Sequence, residues 1–224
     1  MQFRLTVLFI LILLFSGCAD ISTSHSTFLH NGNFRVKKSI KTWQELRERN
    51  VVMQKHDYSC GAAAIATLMR YYFQDAVSEK EILDDITGNF NEVELNKRKE
   101  KGFSLLDLKM FAERRGYIAI GTKLKLASLS KLRGPILVFL NLKDYKHFAI
   151  LRGIKENRVF IADPSRGNLQ MSLSRFAEEW DGISLVLGKK GVKASLNHSL
   201  KIRENEHLVK LKPLLVKKTL NINR

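Results

Sequence analysis

The chain has 224 residues, 45% hydrophobic and 27% charged, with a formal net charge of +16, the composition of a folded globular protein long enough for one domain plus extensions. The basicity would suit nucleic acid or an anionic membrane surface, but half of it lies between Gly188 and Arg224, where ten Lys/Arg stand against two Glu. No zinc-finger spacing, RNA-binding aromatic signature or Walker-type loop occurs, so nucleic acid is excluded as the expected partner.

Residues 1–17 carry Arg4 and then an almost wholly apolar run from Leu5 to Phe15. That run is too short to span a bilayer comfortably and reads as a signal peptide. It ends Leu14-Phe15-Ser16-Gly17-Cys18, which resembles the lipobox of bacterial lipoproteins. The resemblance implies cleavage before Cys18, lipidation of its sulfur, and export to face the periplasm or cell exterior. Residues 18–41 are Ser/Thr-rich without periodicity and are expected to form a tether.

Trp43 to Arg49 predicts a short helix. A longer one opens at Cys60 and runs through Leu68 to about Phe73, with Ile65, Leu68 and Tyr72 near one face. Ser78 and Glu81 form a capping box for a helix carrying Ile82, Leu83 and Ile86. Gly88 to Gly102, polar and with a Lys97-Arg98-Lys99 run, is expected to be a mobile loop. Ser104 and Asp107 open another helix that stops at Gly116.

The second half changes rhythm. Tyr117–Leu124, Pro135–Leu142, His147–Ile154, Arg158–Ala162 and Ile183–Leu187 are β-branched or aromatic-rich runs separated by turns, interrupted by a short amphipathic helix over Ser172–Trp180. Helices first and strands second predict an α+β fold, with an antiparallel sheet packed on the helix that carries Cys60. The domain is expected to occupy residues 42–187, and residues 188–224 a basic C-terminal tail. Pro213 would interrupt any continuous helix in that tail.

Cys60 stands at a helix N-terminus, where free N–H groups and the macrodipole favour an anion, and thiolate is the nucleophilic form of cysteine. Gly61 is expected to keep the approach to the sulfur open, and the small Ala62 and Ala63 to let the helix pack closely. Gln54, just upstream, is within reach to donate its amide to an oxyanion. With Cys18 as anchor and Cys60 as nucleophile, no disulfide is expected.

A thiol nucleophile needs an imidazole and a group to orient it. His25 and His30 fall in the tether, His198 and His207 in the tail. His147 opens a strand, and His56 is the runner-up. The Lys155-Glu156-Asn157 turn pairs His147–Ile154 with Arg158–Asp163, which places Asp163 opposite Ala149 or Ile150 and on the same face as His147. Asp163 would then fix the ring tautomer and stabilise the imidazolium.

With these residues placed, the chain resembles the bacteriocin-processing, double-glycine cysteine peptidase family of papain-like fold. The matching segments are Gln54…Asp57-Tyr58-Ser59-Cys60-Gly61-Ala62-Ala63, Gly102-Phe103-Ser104…Asp107-Leu108, His147-Phe148-Ala149-Ile150-Leu151, Asp163-Pro164-Ser165-Arg166-Gly167 and Phe176…Trp180. The resemblance implies thiol proteolysis with Gln54 in the oxyanion hole, Cys60 as nucleophile, His147 as base and Asp163 as orienter. The well-known members are domains of export transporters that cut leaders after Gly-Gly. This chain carries an export signal and no ATPase module, and is more like the stand-alone exported members that accompany secretion or functional-amyloid systems. The expected partners are a peptide substrate, a secretion system, and a membrane held through Cys18 and the basic tail; no cofactor or metal is called for. The competing readings are an exported cell-wall amidase or endopeptidase, and a lipoprotein using a non-catalytic peptidase fold to bind a peptide.

Overall fold

The computed structural model describes residues 26–31, 34–39, 41–143, 145–203 and 206. The expected signal peptide, Cys18, His207 and the tail beyond it lie outside the described residues. The chain divides into two units, residues 1–42 and 43–224.

In the first unit, β1 (Ser26–Asn31) and β2 (Phe34–Ser39) pair antiparallel, with Ser26 opposite Ser39. The expected tether therefore contains a hairpin, and Asn31-Gly32 is the sequence signal for one.

The second unit begins with α1 (Trp43–Glu48) and α2 (Cys60–Tyr71). They are followed by α3 (Glu79–Thr87), α4 (Glu92–Lys101) and α5 (Leu105–Arg114). The strands are β3 (Tyr117–Lys123), β4 (Ile136–Leu142), β5 (Tyr145–Lys155), β6 (Arg158–Asp163), β7 (Gly167–Ser172) and β8 (Trp180–Lys189), with α6 (Leu173–Glu179) before β8. They form one antiparallel sheet in the order β3-β8-β4-β5-β6-β7. The expected α+β architecture, helices first and an antiparallel sheet second, is the one observed.

The capping boxes at Ser78–Glu81 and Ser104–Asp107 both form. Gly116 follows α5 with a φ of +79°, the left-handed stop that glycine supplies without steric cost. The β5–β6 turn places Glu156 and Asn157 at φ of 51° and 59°, the two left-handed positions of a tight hairpin.

In the second unit, α4 and β7 were not foreseen either. The expected loop over Gly88–Gly102 contains α4, opened by a capping box between Asn91 and Glu94. None of its residues is buried, so it lacked the apolar stripe that announces a helix. It is fastened instead by Arg98, whose guanidinium donates twice to the buried Asp107 at 2.7 and 3.1 Å. Strand β7 reads as polar because it is a sheet edge. Its first residue, Gly167, has a φ of +76°, and a Cβ there would stand 2.5 Å from the Arg47 carbonyl.

The sheet has a core on each face. Ala62, Ile65 and Leu68 of α2 pack with Leu108, Phe111, Leu137, Phe148 and Ile150 on one side. Val138, Leu140, Ala149, Leu151, Val159 and Ile161 pack with Phe176 and Trp180 on the other. The period-2 alternation of β4, β5 and β6 sorts these residues.

The fold also continues past residue 187. β8 reaches Lys189, and a segment around Leu200, which is only 1% exposed, packs back on the domain. The buried Arg152 holds it, donating to the carbonyls of Leu200 at 3.0 Å and Lys201 at 3.1 Å and pairing with Glu206. Part of the stretch assigned to a basic tail is therefore domain. Among the described residues, no helix is long and apolar enough to cross a membrane.

Candidate active site

Cys60 is the first residue of α2 and is buried, with a free thiol. Its helix sits close to β5 because Gly61 has no side chain: a Cβ there would lie 2.9 Å from Leu108 Cδ1 and 3.1 Å from Phe148 Cδ2. Gly61 therefore serves helix–strand approach, not an open path to the sulfur as expected. Phe148 is the neighbour of His147, so this close approach sets how near the thiol comes to the ring.

His147 lies on β5 and is 2% exposed. By strand alternation His147 and Asp163 fall on one side of the β5–β6 hairpin, at its open end. The register supports this, since Ile150 pairs with Ala162 one step before the end of β6. The Nε2 of His147 donates to Asp163 Oδ1 at 3.1 Å, which leaves Nδ1 for Cys60, whose presence helps to raise the ring's pKa. One residue thus comes from the helical layer and two from the sheet.

Burial pulls the His147 pKa down, but the hydrogen bonds to Asp163 and Cys60, with their charges, outweigh it and push it up to about 9. For Asp163, burial pushes the pKa up. The hydrogen bond and charge of His147, the charge of Arg166 and the Ser165 hydroxyl together hold it well below the usual carboxylate range. The site favours a carboxylate beside an imidazolium.

Asp163 is completely buried, and its carboxylate is heavily used. Oδ1 also accepts from the backbone N–H of Ser165 (2.8 Å), the Ser165 hydroxyl (2.8 Å) and the N–H of Arg166 (3.0 Å). Oδ2 accepts from Arg166 Nε at 2.9 Å. The turn carrying these donors is braced by Arg47 of α1, whose guanidinium donates to the Arg166 carbonyl at 3.1 and 2.6 Å.

Gln54 sits in the loop before α2. Its Nε2 donates to the His56 carbonyl at 3.1 Å, leaving a second N–H, and its backbone N–H donates to the Pro164 carbonyl at 2.9 Å. His56 is exposed and stacks on Tyr58 with ring centroids 5.3 Å apart. At the other side Tyr145, also exposed, meets His147 edge-on at 5.8 Å.

Sequence reasoning missed three participants: Ser165 and Arg166, which fasten Asp163, and Glu79, which is 4% exposed and bonds the Gln54–Ser59 loop. A usable signal existed for the first two, in the Asp-Pro-Ser-Arg-Gly run. Glu79 reads as an ordinary acidic residue in the first turn of a helix.

Residues 48–191 match the family described as Peptidase C39 family. The chain is 32% identical over 160 residues to the "Probable functional amyloid protease FapD" of Pseudomonas aeruginosa, covering 71% of this chain and 70% of that protein. It is 33% identical over 165 residues to the protein of the same description from Pseudomonas fluorescens, covering 73% and 72%. In structure it is similar to the peptidase domain of Streptococcus ComA, described as a bi-functional ABC transporter involved in quorum sensing, with a TM-score of 0.53, 21% identity, and coverage of 62% of this chain and 98% of that one.

Proposed function

Because the chain belongs to the peptidase C39 family and is a cysteine peptidase, we propose that it is an exported enzyme that cuts a peptide or leader for a secretion system. Cys60 is the nucleophile, His147 the base and acid, Asp163 the orienter of the ring, and Gln54 an oxyanion donor. The observation that carries the reading is the buried His147–Asp163 pair, Nε2 to Oδ1 at 3.1 Å, together with the buried free thiol of Cys60 at the start of α2.

The thiol gives its proton to His147 Nδ1, and the sulfur attacks the scissile carbonyl carbon. The oxyanion takes hydrogen bonds from the Gln54 amide and the Cys60 N–H, one of the groups a helix start leaves without an intrahelical partner. His147 returns the proton to the leaving amine as the C–N bond breaks, leaving a thioester. Water, deprotonated by His147, then releases the acid and restores the thiol.

The name carried by the Pseudomonas relatives supports a protease linked to functional amyloid, and the relative named "Lactococcin-G-processing and transport ATP-binding protein LagD" supports a substrate handled together with its export. The test uses two quenched fluorogenic peptides, one with Gly-Gly before the scissile bond and one with both glycines replaced. Cleavage of the first that disappears in Cys60→Ala supports the reading, and full activity in that variant refutes it. Equal cleavage of both peptides would remove Gly-Gly selectivity.

The location is part of the same proposal. The lipobox-like Ser16-Gly17-Cys18 supports a lipid anchor, and the basic residues beyond Glu206 support a second, electrostatic hold on anionic lipid. Expressed in a bacterium, the protein is expected in the membrane fraction with incorporated palmitate, and Cys18→Ser abolishes both. A soluble, unlabelled protein would overturn the anchor.

A further inference from the structure

Ser59 occupies the N-cap of α2 but makes no capping hydrogen bond with its side chain. At this position a serine hydroxyl ordinarily accepts from a free N–H of the first turn. Here the oxygen is turned elsewhere. It accepts from the His56 N–H at 3.1 Å and lies 2.8 Å from the His56 carbonyl and 2.5 Å from Glu79 Oε1, the nearer acceptor for its one proton. The same Glu79 oxygen accepts the backbone N–H of Lys55 at 3.0 Å. Ser59 is completely buried.

Glu79 is the first residue of α3, where the positive helix end supports a carboxylate. The helix's own capping box uses Glu81, so Glu79 is not needed to cap it. A carboxylate this buried must be compensated by donors, and both of its donors belong to the loop between Gln54 and Cys60. The loop is fastened elsewhere by Val52 N–H to Thr67 Oγ1 at 2.9 Å and by Gln54 N–H to Pro164 at 2.9 Å. Its middle is packed through Tyr58, edge-on to Phe103 at 6.1 Å, and is hydrogen-bonded to the neighbouring helix through Glu79.

We infer that Glu79 is a positioning residue: its carboxylate fixes the Gln54–Ser59 loop so that the Gln54 amide and the Cys60 N–H stand as a preformed pair of oxyanion donors. Together with His56, it also holds the Ser59 hydroxyl away from the helix, which leaves the start of α2 uncapped and its N–H groups available. Without the carboxylate, the Lys55 N–H loses its acceptor and the Ser59 hydroxyl keeps only its contacts to His56 within the loop, so the loop is no longer tied to α3 by hydrogen bonds. This inference rests on the proposed thiol peptidase mechanism, because it assigns Glu79 to that mechanism's oxyanion step.

The test compares the full chain with Glu79→Gln, Glu79→Ala and Ser59→Ala. The readouts are kcat and KM on the Gly-Gly fluorogenic peptide, the rate of Cys60 alkylation by iodoacetamide, and hydrogen exchange at the Lys55 amide. Alkylation needs the thiolate but no oxyanion hole. Glu79→Ala is expected to lower kcat by roughly 10- to 100-fold, below the full loss of an oxyanion donor, with KM and the alkylation rate within about threefold of the parent. Lys55 exchange rises in Glu79→Ala. Glu79→Gln, whose amide oxygen can accept the same two hydrogen bonds, retains most of the activity and the protection. Ser59→Ala shows a part of the Glu79→Ala loss, and the double variant is no worse than Glu79→Ala alone.

The inference is overturned by an unchanged kcat in Glu79→Ala, by alkylation falling in parallel with kcat, or by a Gln variant as impaired as the Ala variant. If the parent cleaves neither peptide, the peptidase mechanism fails and this assignment with it. Lys55 exchange in the same variants still reports whether Glu79 holds the loop, so the two failures are separable.

Discussion

The backbone N–H of Gln54 donates to the carbonyl of Pro164 at 2.9 Å, joining the loop before the Cys60 helix to the turn after Asp163. The candidate oxyanion donor and the candidate orienter are therefore mechanically linked, although they come from the helical and the sheet halves of the chain. A displacement of either side moves the other, and variants at the Asp163 turn are expected to disturb more than the histidine.

His147→Ala should reduce kcat by roughly 10²- to 10⁴-fold, the range for loss of a general acid–base, while His56→Ala, exposed and stacked on Tyr58, should cost little. Steady-state kinetics on one peptide decides the matter. An inactive His56→Ala with an active His147→Ala would reverse the assignment.

The pH profile should follow the imidazolium. His147 is held up to about 9, so the proton-bearing form persists through neutrality, and kcat/KM should fall as pH rises through about 9. Asp163→Asn removes the charge that helps to raise it, and should move this alkaline limb to lower pH as well as lowering kcat. A limb that does not move would separate Asp163 from the ring's titration.

The same shifts bear on stability. His147 has a folded pKa above its unfolded value of about 6.5, so its contribution is full below that value and is lost as pH rises through about 9. Asp163 is depressed, so its contribution is full above the ordinary carboxylate pKa of about 3.9 and is lost only as pH falls well below it. Urea unfolding from pH 4 to 10 should show a decline on the alkaline side that His147→Gln diminishes.

Gly61→Ala places a methyl against Leu108 and Phe148. Overpacking of this kind costs about 1–3 kcal/mol, and by pushing α2 from β5 it should also lower kcat. Leu108→Val beside it, by freeing volume at the 2.9 Å contact, should restore part of both. Thermal melts and kinetics on the pair of variants test whether the gap is shared.

The segment beyond β8 should be structural. Leu200→Ala, at a residue 1% exposed, is expected to destabilise by about 2–5 kcal/mol, the cost of truncating a buried leucine. Variants at exposed basic residues of the same stretch, such as Lys190→Ala, should leave urea midpoints unchanged.

The sequence by itself determined much of this protein, because much of it is local. The caps at Ser78 and Ser104, the stop at Gly116, the Glu156-Asn157 turn and the switch from helical to alternating patterns each depend on residues a few positions apart. The pairing of His147 with Asp163 was also legible, because both lie on one hairpin whose register follows from its turn. Only tertiary structure decided the rest. α4 has no apolar stripe and exists through Arg98 and Asp107. β7 is an edge whose place depends on the Arg47 carbonyl against Gly167. The chain around Leu200 is domain because Arg152, on a distant strand, holds it. Glu79 acquires its bonds to Lys55 and Ser59 only when α3 packs beside the loop before Cys60. In each case the deciding partner is far away in the chain, and spacing within a short window carries no information about it.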